Sequence, residues 1–306
     1  MPNYLSKPNW SDFRELRRHC ANDSDLQALH PSLRKSYEHY WSACRAPFLA
    51  WKFANSLEIV AAERMRAKYK SGGKLAKFIK GRLTQLQGLN ACPYCGLQKN
   101  VTTDHYLPKE HFPQFASLSR NLVPSCTDCQ GSGAKGQWFP GYRYKQKPLR
   151  EPRGRGPLNR LLHPYFDTFL RNRVLRIEFE PEELLSDINL FVTAKNRAHR
   201  RLVQFHIEKI NLPREAGWAI RTYWTGLISR IQMNPTHATN LSVLKQFLKE
   251  EMSRSHGECK SLNSIEFVFY YSVHSAPKKL QFLLNIAKQP VPPPNNKSLP
   301  KGKRYR

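Results

Sequence analysis

An α+β fold is predicted for this chain, mostly helical, with one small cysteine-framed hairpin module and a few further short strands. Three observations carry that expectation. Long stretches before residue 89 and after residue 194 repeat apolar residues at helical spacing. Four cysteines stand as two pairs, Cys92 with Cys95 and Cys126 with Cys129, each with two residues between its members. Two alternating runs, 174–179 and 188–193, read as strands separated by acidic residues. The expected organisation is a helical region over 1–89, the cysteine module over 90–136, a basic Pro/Gly/aromatic linker over 137–160, a helical region with short strands over 161–290, and a polar basic tail over 291–306.

Residues 9–88 read as mostly helical. Asn9-Trp10-Ser11-Asp12 suits a helix start, and Phe13, Leu16 and Cys20 recur at helical spacing. Pro31-Ser32-Leu33 restarts a helix that reaches Cys44. A longer pattern covers about 48–70, with Phe48, Trp51, Phe53, Leu57, Val60 and Met65 as its apolar residues. Its end turns basic at Arg64, Arg66, Lys68 and Lys70, which suits the C-terminal end of a helix dipole. Gly72-Gly73 stops it, and a further helix follows over 74–87. Beyond the module, helices are expected near 195–210, 214–232, 240–252 and 277–288, with a β-prone run over 265–273.

Two tight turns that each offer a pair of thiolates make a tetrahedral sulfur site, which suits structural zinc. Four thiolates leave no open position for a substrate, so this zinc would fold the segment rather than do chemistry. An iron–sulfur cluster uses the same ligands. Between the pairs lie Asp104-His105 on a short β-prone run, Pro108, and the returning run that starts at Asn121.

Together, Cys92-Pro-Tyr-Cys95-Gly, Asp104-His105-Tyr-Leu-Pro108, Asn121-Leu-Val-Pro-Ser-Cys126, Cys129 and Lys135 resemble a zinc-ribbon HNH endonuclease of the His-Me finger (ββα-metal) group. The likeness covers about residues 90–136. Leu162-His163-Pro164-Tyr165-Phe166-Asp167 resembles HNH proteins of bacterial anti-phage defence. What the resemblance implies is a metal-dependent nuclease. His105 would be the general base, and Asp104 would hold Mg²⁺ or Mn²⁺. Asn121 would orient that histidine or the loop. Gln130 stands, by position, where the family usually has His or Asn as a further metal ligand, and Lys135 comes two residues late. Lys109 and Lys135 are expected to hold phosphate, and His111 is a spare histidine on the same loop. The family also implies a defence effector working beside a separate ATPase or sensor.

The formal net charge is +27, from 50 Lys plus Arg against 23 Asp plus Glu. A chain this basic is most simply a polyanion binder, of nucleic acid first and of an acidic protein as the competing partner. The nuclease resemblance puts DNA ahead of RNA, between which the basic and aromatic segments do not choose. In 137–160, Trp138, Phe139, Tyr142 and Tyr144 alternate with Arg143, Lys145, Arg153 and Arg155, a composition that suits contact with nucleic acid. Seven cysteines, four of them paired for metal, are not a disulfide framework and fit a reducing cytosol. Neither a secretory leader nor an apolar run of the roughly 18 residues that span a membrane is visible, so a cytoplasmic protein is expected. The second functional class is a zinc-stabilised nucleic-acid-binding module without catalysis.

Overall fold

A computed structural model describes residues 4–45, 57–70, 72–81, 91–136, 160–182, 185 and 187–289. The expected linker contacts Arg143, Lys145, Arg153 and Arg155, the apolar residues Phe48, Trp51 and Phe53, and the tail lie outside the described residues. The architecture is mostly helical with two small antiparallel strand pairs, the α+β class that the sequence predicts.

In the N-terminal region, α1 (Asp12–Ala21) buries Leu16 and Cys20, with Asp12 and Glu15 in its first turn and Arg18 and His19 in its last. That charge order favours the helix dipole at both ends. The short α2 (Ser24–Gln27) leads to α3 (His30–Arg45), whose buried stripe is Leu33, Tyr37, Tyr40 and Cys44. Helix α4 (Ile59–Lys68) turns Ala61, Ala62 and Met65 inward, and α5 (Lys74–Gly81) turns in Ala76 and Ile79. Helix α5 packs on the central hairpin, where the Thr103 hydroxyl donates to the Ala76 carbonyl at 3.4 Å.

That hairpin is β1 (Val101–His105) against β2 (Leu122–Cys126), in a register that sets Asp104 opposite Val123 and His105 opposite Leu122. A one-turn helix, α6 (Thr127–Gln130), follows at once. The second pair is β3 (Leu175–Glu178) and β4 (Asn189–Val192), and β3 alternates buried and exposed residues as a half-buried strand should. Then come α7 (Arg197–Lys209), α8 (Leu212–Met233), α9 (Leu241–Cys259), α10 (Ile265–His274) and α11 (Pro277–Ile286). Side chains cap three of them. Asn196 accepts from Ala198 and His199, Asn240 accepts from Val243, and Ser264 accepts from Phe267.

Two expectations are corrected. The run 265–273 is not a strand but α10. Ile265 to Tyr270, Ser272 and Val273 are all buried, because the helix packs against α8, α9, α11 and β3. A helix covered on every side loses the one-sided period, so its β-branched and aromatic residues imitate a buried strand. Helix α9 also runs past the expected end at 252, to Cys259, where Lys260 takes a left-handed conformation (φ 48°) and stops it.

One contiguous hydrophobic core runs from Leu5 through the hairpin to Ile286. The segment 161–167 couples the hairpin to the C-terminal helices. The Tyr106 hydroxyl donates to the Leu161 carbonyl, and the Tyr165 hydroxyl to the Leu122 carbonyl at 2.9 Å. Arg160 and Asp167 form a buried two-pronged ion pair at 2.8 and 2.6 Å. His206 accepts from the Leu162 amide through Nδ1 and donates through Nε2 to the Tyr94 carbonyl, joining α7 to the first cysteine turn.

Candidate metal centre and hairpin site

The four cysteines are brought together as their spacing predicts. The sulfurs of Cys92, Cys95, Cys126 and Cys129 all lie within 4.8 Å of one another, and all four residues are buried. A tetrahedron of zinc–sulfur bonds would place the sulfurs about 3.8 Å apart, and Cys95 Sγ lies 3.9 Å from Cys126 Sγ. The Cys126 amide donates to Cys92 Sγ at 3.3 Å, the kind of outer contact that steadies a metal-bound thiolate. Gly96 closes the first turn with φ 71°, a conformation that suits glycine. The donor chemistry and the distances therefore fit a zinc ion held by sulfur alone.

The strand ends of the hairpin carry the second feature. His105 is buried, and its Nε2 lies 3.0 Å from the Ala116 carbonyl. A carbonyl only accepts, so Nε2 carries the proton and Nδ1 is left as a base. Burial pushes the imidazole down to about 4, with Lys109 and Lys135 adding to the shift and the Ala116 bond opposing it. His105 is thus neutral over the physiological range. Tyr69, on the segment between α4 and α5, sets its ring edge-on to His105 at 4.4 Å, and Lys109 lies 5.3 Å from the centre of the Tyr69 ring.

Asn121 is fully buried and does not bond His105. Its Oδ1 accepts from the Leu107 amide at 2.8 Å, and its Nδ2 donates to the carbonyls of Leu107 at 3.0 Å and Phe115 at 3.2 Å. It ties both ends of the loop 107–115 and so places the Ala116 carbonyl under the imidazole. Of the two roles expected for Asn121, it is the loop that it holds. The Tyr40 hydroxyl sits 3.3 Å from Asn121 Oδ1 and 3.0 Å from His163 Nε2. His163 and Asp167 are accordingly part of the packing behind the hairpin, as Tyr106 stacked on His163 at 4.3 Å also shows. His111 lies on the same loop, with its amide donating to the Pro108 carbonyl at 3.1 Å.

Lys135 departs from expectation. It is buried rather than presented to phosphate. Its ammonium lies 3.0 Å from Asp104 Oδ2 and donates to the His105 carbonyl at 2.8 Å. Burial pushes the Asp104 carboxyl up, and the charge and hydrogen bond of Lys135 oppose that shift. The two extra residues in Gly131-Ser132-Gly133 explain the placement. They let the chain return so that the Lys135 amide bonds the Cys129 carbonyl at 3.1 Å, before Gly136 turns it away with φ 49°. Gln130 also finds a structural partner set. Its Nε2 donates to the Ser125 carbonyl at 2.7 Å and to Thr102 Oγ1 at 2.9 Å, which locks α6 onto the hairpin. The Ser125 carbonyl fixes which end of the amide faces it, so the nitrogen of Gln130 is committed there. Thr102 and Asp104 share one face of β1 by strand alternation.

Asp104 offers a carboxylate oxygen at the end of the hairpin, and Gln130 has its side-chain oxygen left over from the two bonds its nitrogen makes. Mg²⁺ is commonly held by one or two carboxylates with substrate phosphates and water, a requirement that Asp104 meets in part. The sequence reading missed Tyr69, which comes from outside the cysteine module, and the Ala116 carbonyl, a backbone atom on the loop between Pro108 and Asn121 that no local pattern marks.

Over a stretch of 49 residues this chain is 49% identical to Protein ea31 of Escherichia phage lambda, a stretch that amounts to 16% of each chain. No family model and no solved structure match.

Proposed function

We propose that this chain is a metal-dependent endonuclease of the HNH type, with a zinc-ordered hairpin that presents His105 as the general base. One observation supports it above the rest: the Ala116 carbonyl fixes the Nε2–H tautomer of His105, beside Asp104, on a hairpin framed by four cysteines. A water positioned at Nδ1 would lose a proton to it as the water attacks a phosphodiester. The loop bond at Nε2 keeps the ring from turning as that proton arrives. Asp104, with phosphate oxygens and water, would hold the cation. When bound, Mg²⁺ or Mn²⁺ offsets charge that builds on the phosphate and the departing oxygen. The Lys135 ammonium favours the charged form of Asp104 against its burial and fixes the carboxyl in orientation. DNA stands ahead of RNA as substrate. The role in bacterial anti-phage defence, beside a separate ATPase, rests on the motif resemblance and forms part of the same proposal.

A second reading has its own support. Gln130 has its amide nitrogen in the hairpin, and Lys135 sits on Asp104 where a cation would compete. A zinc-stabilised binding module without catalysis would look the same at those two positions. Cleavage of supercoiled plasmid, linear duplex, single-stranded DNA and RNA, with Mg²⁺, with Mn²⁺ and with neither, separates the two. Metal-dependent cutting that is lost in His105→Ala at equal zinc content is expected. Binding without cutting, unchanged in that variant, would establish the second reading.

A further inference from the structure

A cleft of about 780 Å³ lies between α1 and the α4–α5 segment, and it borders the hairpin site. Its walls include Trp10, Arg18, Arg64, Tyr69, Lys70 and Lys74. Two contacts tie it to His105. Tyr69, which lines it, is the residue set edge-on to the imidazole. Ser117, also in its wall, directly follows Ala116, whose carbonyl holds Nε2. Two acids, Glu15 and Asp23, also line the cleft, and they and Asp25 have partners already. Asp23 pairs with Lys68 at 2.7 Å, and Asp25 pairs with Arg64 at 2.9 Å. Glu15 lies 3.1 Å from His19 Nε2 and also pairs with Arg18. Lys70 and Lys74 are exposed, and neither has an ion pair among the described residues. Trp10 is half-buried against Phe78, ring centres 5.1 Å apart, which steadies an aromatic face at the cleft wall.

We infer that this cleft takes a single nucleic-acid strand adjoining the bond at His105. Lys70 and Lys74 would meet its phosphates, and Trp10 and Tyr69 would meet its unpaired bases. The inference rests on the nuclease reading for its direction toward His105. Cations beside aromatic rings are what a strand with exposed bases requires, since phosphate supplies charge and every base has a stacking face. The volume is that of a small-ligand pocket, room for a few unpaired nucleotides.

The test is binding of fluorescent single-stranded DNA, single-stranded RNA and duplex DNA by the full chain, in buffer without added divalent metal. Lys70→Glu/Lys74→Glu is compared with Lys249→Glu, an exposed lysine of α9. Photocrosslinks from 5-iodouracil oligonucleotides are mapped by mass spectrometry, and cleavage is assayed in parallel. A tenfold or greater loss of single-strand affinity in the double variant, a shallower salt dependence, and crosslinks at Trp10 or Tyr69 are expected. Losses no greater than in Lys249→Glu, or crosslinks confined to other surfaces, would overturn the inference. Duplex bound more tightly than single strands through the same lysines would overturn its choice of strand. Cleavage that continues with full affinity in the double variant leaves the nuclease standing and removes the cleft. Crosslinks in the cleft with no cleavage under any metal do the reverse.

Discussion

His105 shows how one residue becomes chemically defined by its surroundings. An exposed histidine titrates near 6.5 and is largely protonated at mildly acidic pH. Burial and two nearby ammonium groups hold His105 near 4 instead. Under the proposed role the base form persists well below neutrality. The rate of cleavage at about pH 5.5 is then expected to lie within about twofold of that at about pH 7.5, where an ordinary histidine would lose roughly tenfold. A pH–rate profile at saturating metal checks this, and an acid limb centred near 6.5 would assign the proton transfer to another group. Lys135 makes a related point. Its type and rough position belong to the motif, but its direction does not. The loop of Gly131-Ser132-Gly133 brings it back under the hairpin, where a buried ammonium and a buried carboxylate each lessen the cost of the other.

At the scale of elements, the cysteine turns, the hairpin and the segment 161–167 act as one unit. Cys126 ends β2 and starts α6, so the metal cage and the strand carrying the Asp104 partner residue share a backbone. Removing one sulfur should disturb both. Cys129→Ser is expected to lower bound zinc from about one per chain toward none and to destabilise the hairpin by several kcal/mol. Metal analysis alongside hydrogen exchange at the β1 and β2 amides measures the two effects together. Zinc near one per chain in the variant would show that another ligand completes the site. Two or more iron atoms per cysteine set in the native protein, with acid-labile sulfide, would instead assign the cage to a cluster. The hairpin and both cysteine turns were legible from spacing alone, because the sulfur geometry and the short β-prone runs are local. Helix α10 was not, since its burial on all sides erased the period that distinguishes a helix from a strand.

Across the whole molecule, three buried neutral histidines set the response to acid. Burial pushes His206 down to about 3, His105 down to about 4, and His163 well below its ordinary value. A group whose folded value is depressed stabilises the fold above its unfolded value, near 6.5 for histidine, and loses that contribution as pH falls toward the folded value. Asp12 works the other way. Burial raises it to about 6, so its contribution is full below about 4 and is lost as pH rises through 6. Between about pH 6 and about pH 4 the unfolded chain thus binds about one more proton at His105, His206 and Asp12 taken together, and stability falls by about 1.4 kcal/mol per pH unit from them, with His163 adding to the decline and Asp104, also pushed up by burial, opposing it. Urea unfolding followed across that range should show the decline. His206→Gln keeps a donor for the Tyr94 carbonyl and an acceptor for the Leu162 amide, and it should reduce the slope by about 1.4 kcal/mol per unit. An unchanged slope in that variant would place the acid sensitivity elsewhere. Among the described residues, no helix is long and apolar enough to cross a membrane.

The sequence by itself determined the α+β class, the pairing of the four cysteines, the hairpin that joins them, and Asp104-His105 as the residues at its end. Each of these follows from neighbours in the chain, because two-residue spacing, strand alternation and turn residues act over a few peptide units. Only the tertiary structure decided which nitrogen of His105 is free, that Asn121 holds the loop, that Lys135 pairs with Asp104, and that Tyr69 stands between the imidazole and a basic cleft. Those are contacts between segments far apart in the chain. They depend on how close packing orients each side chain, and periodicity carries no information about that.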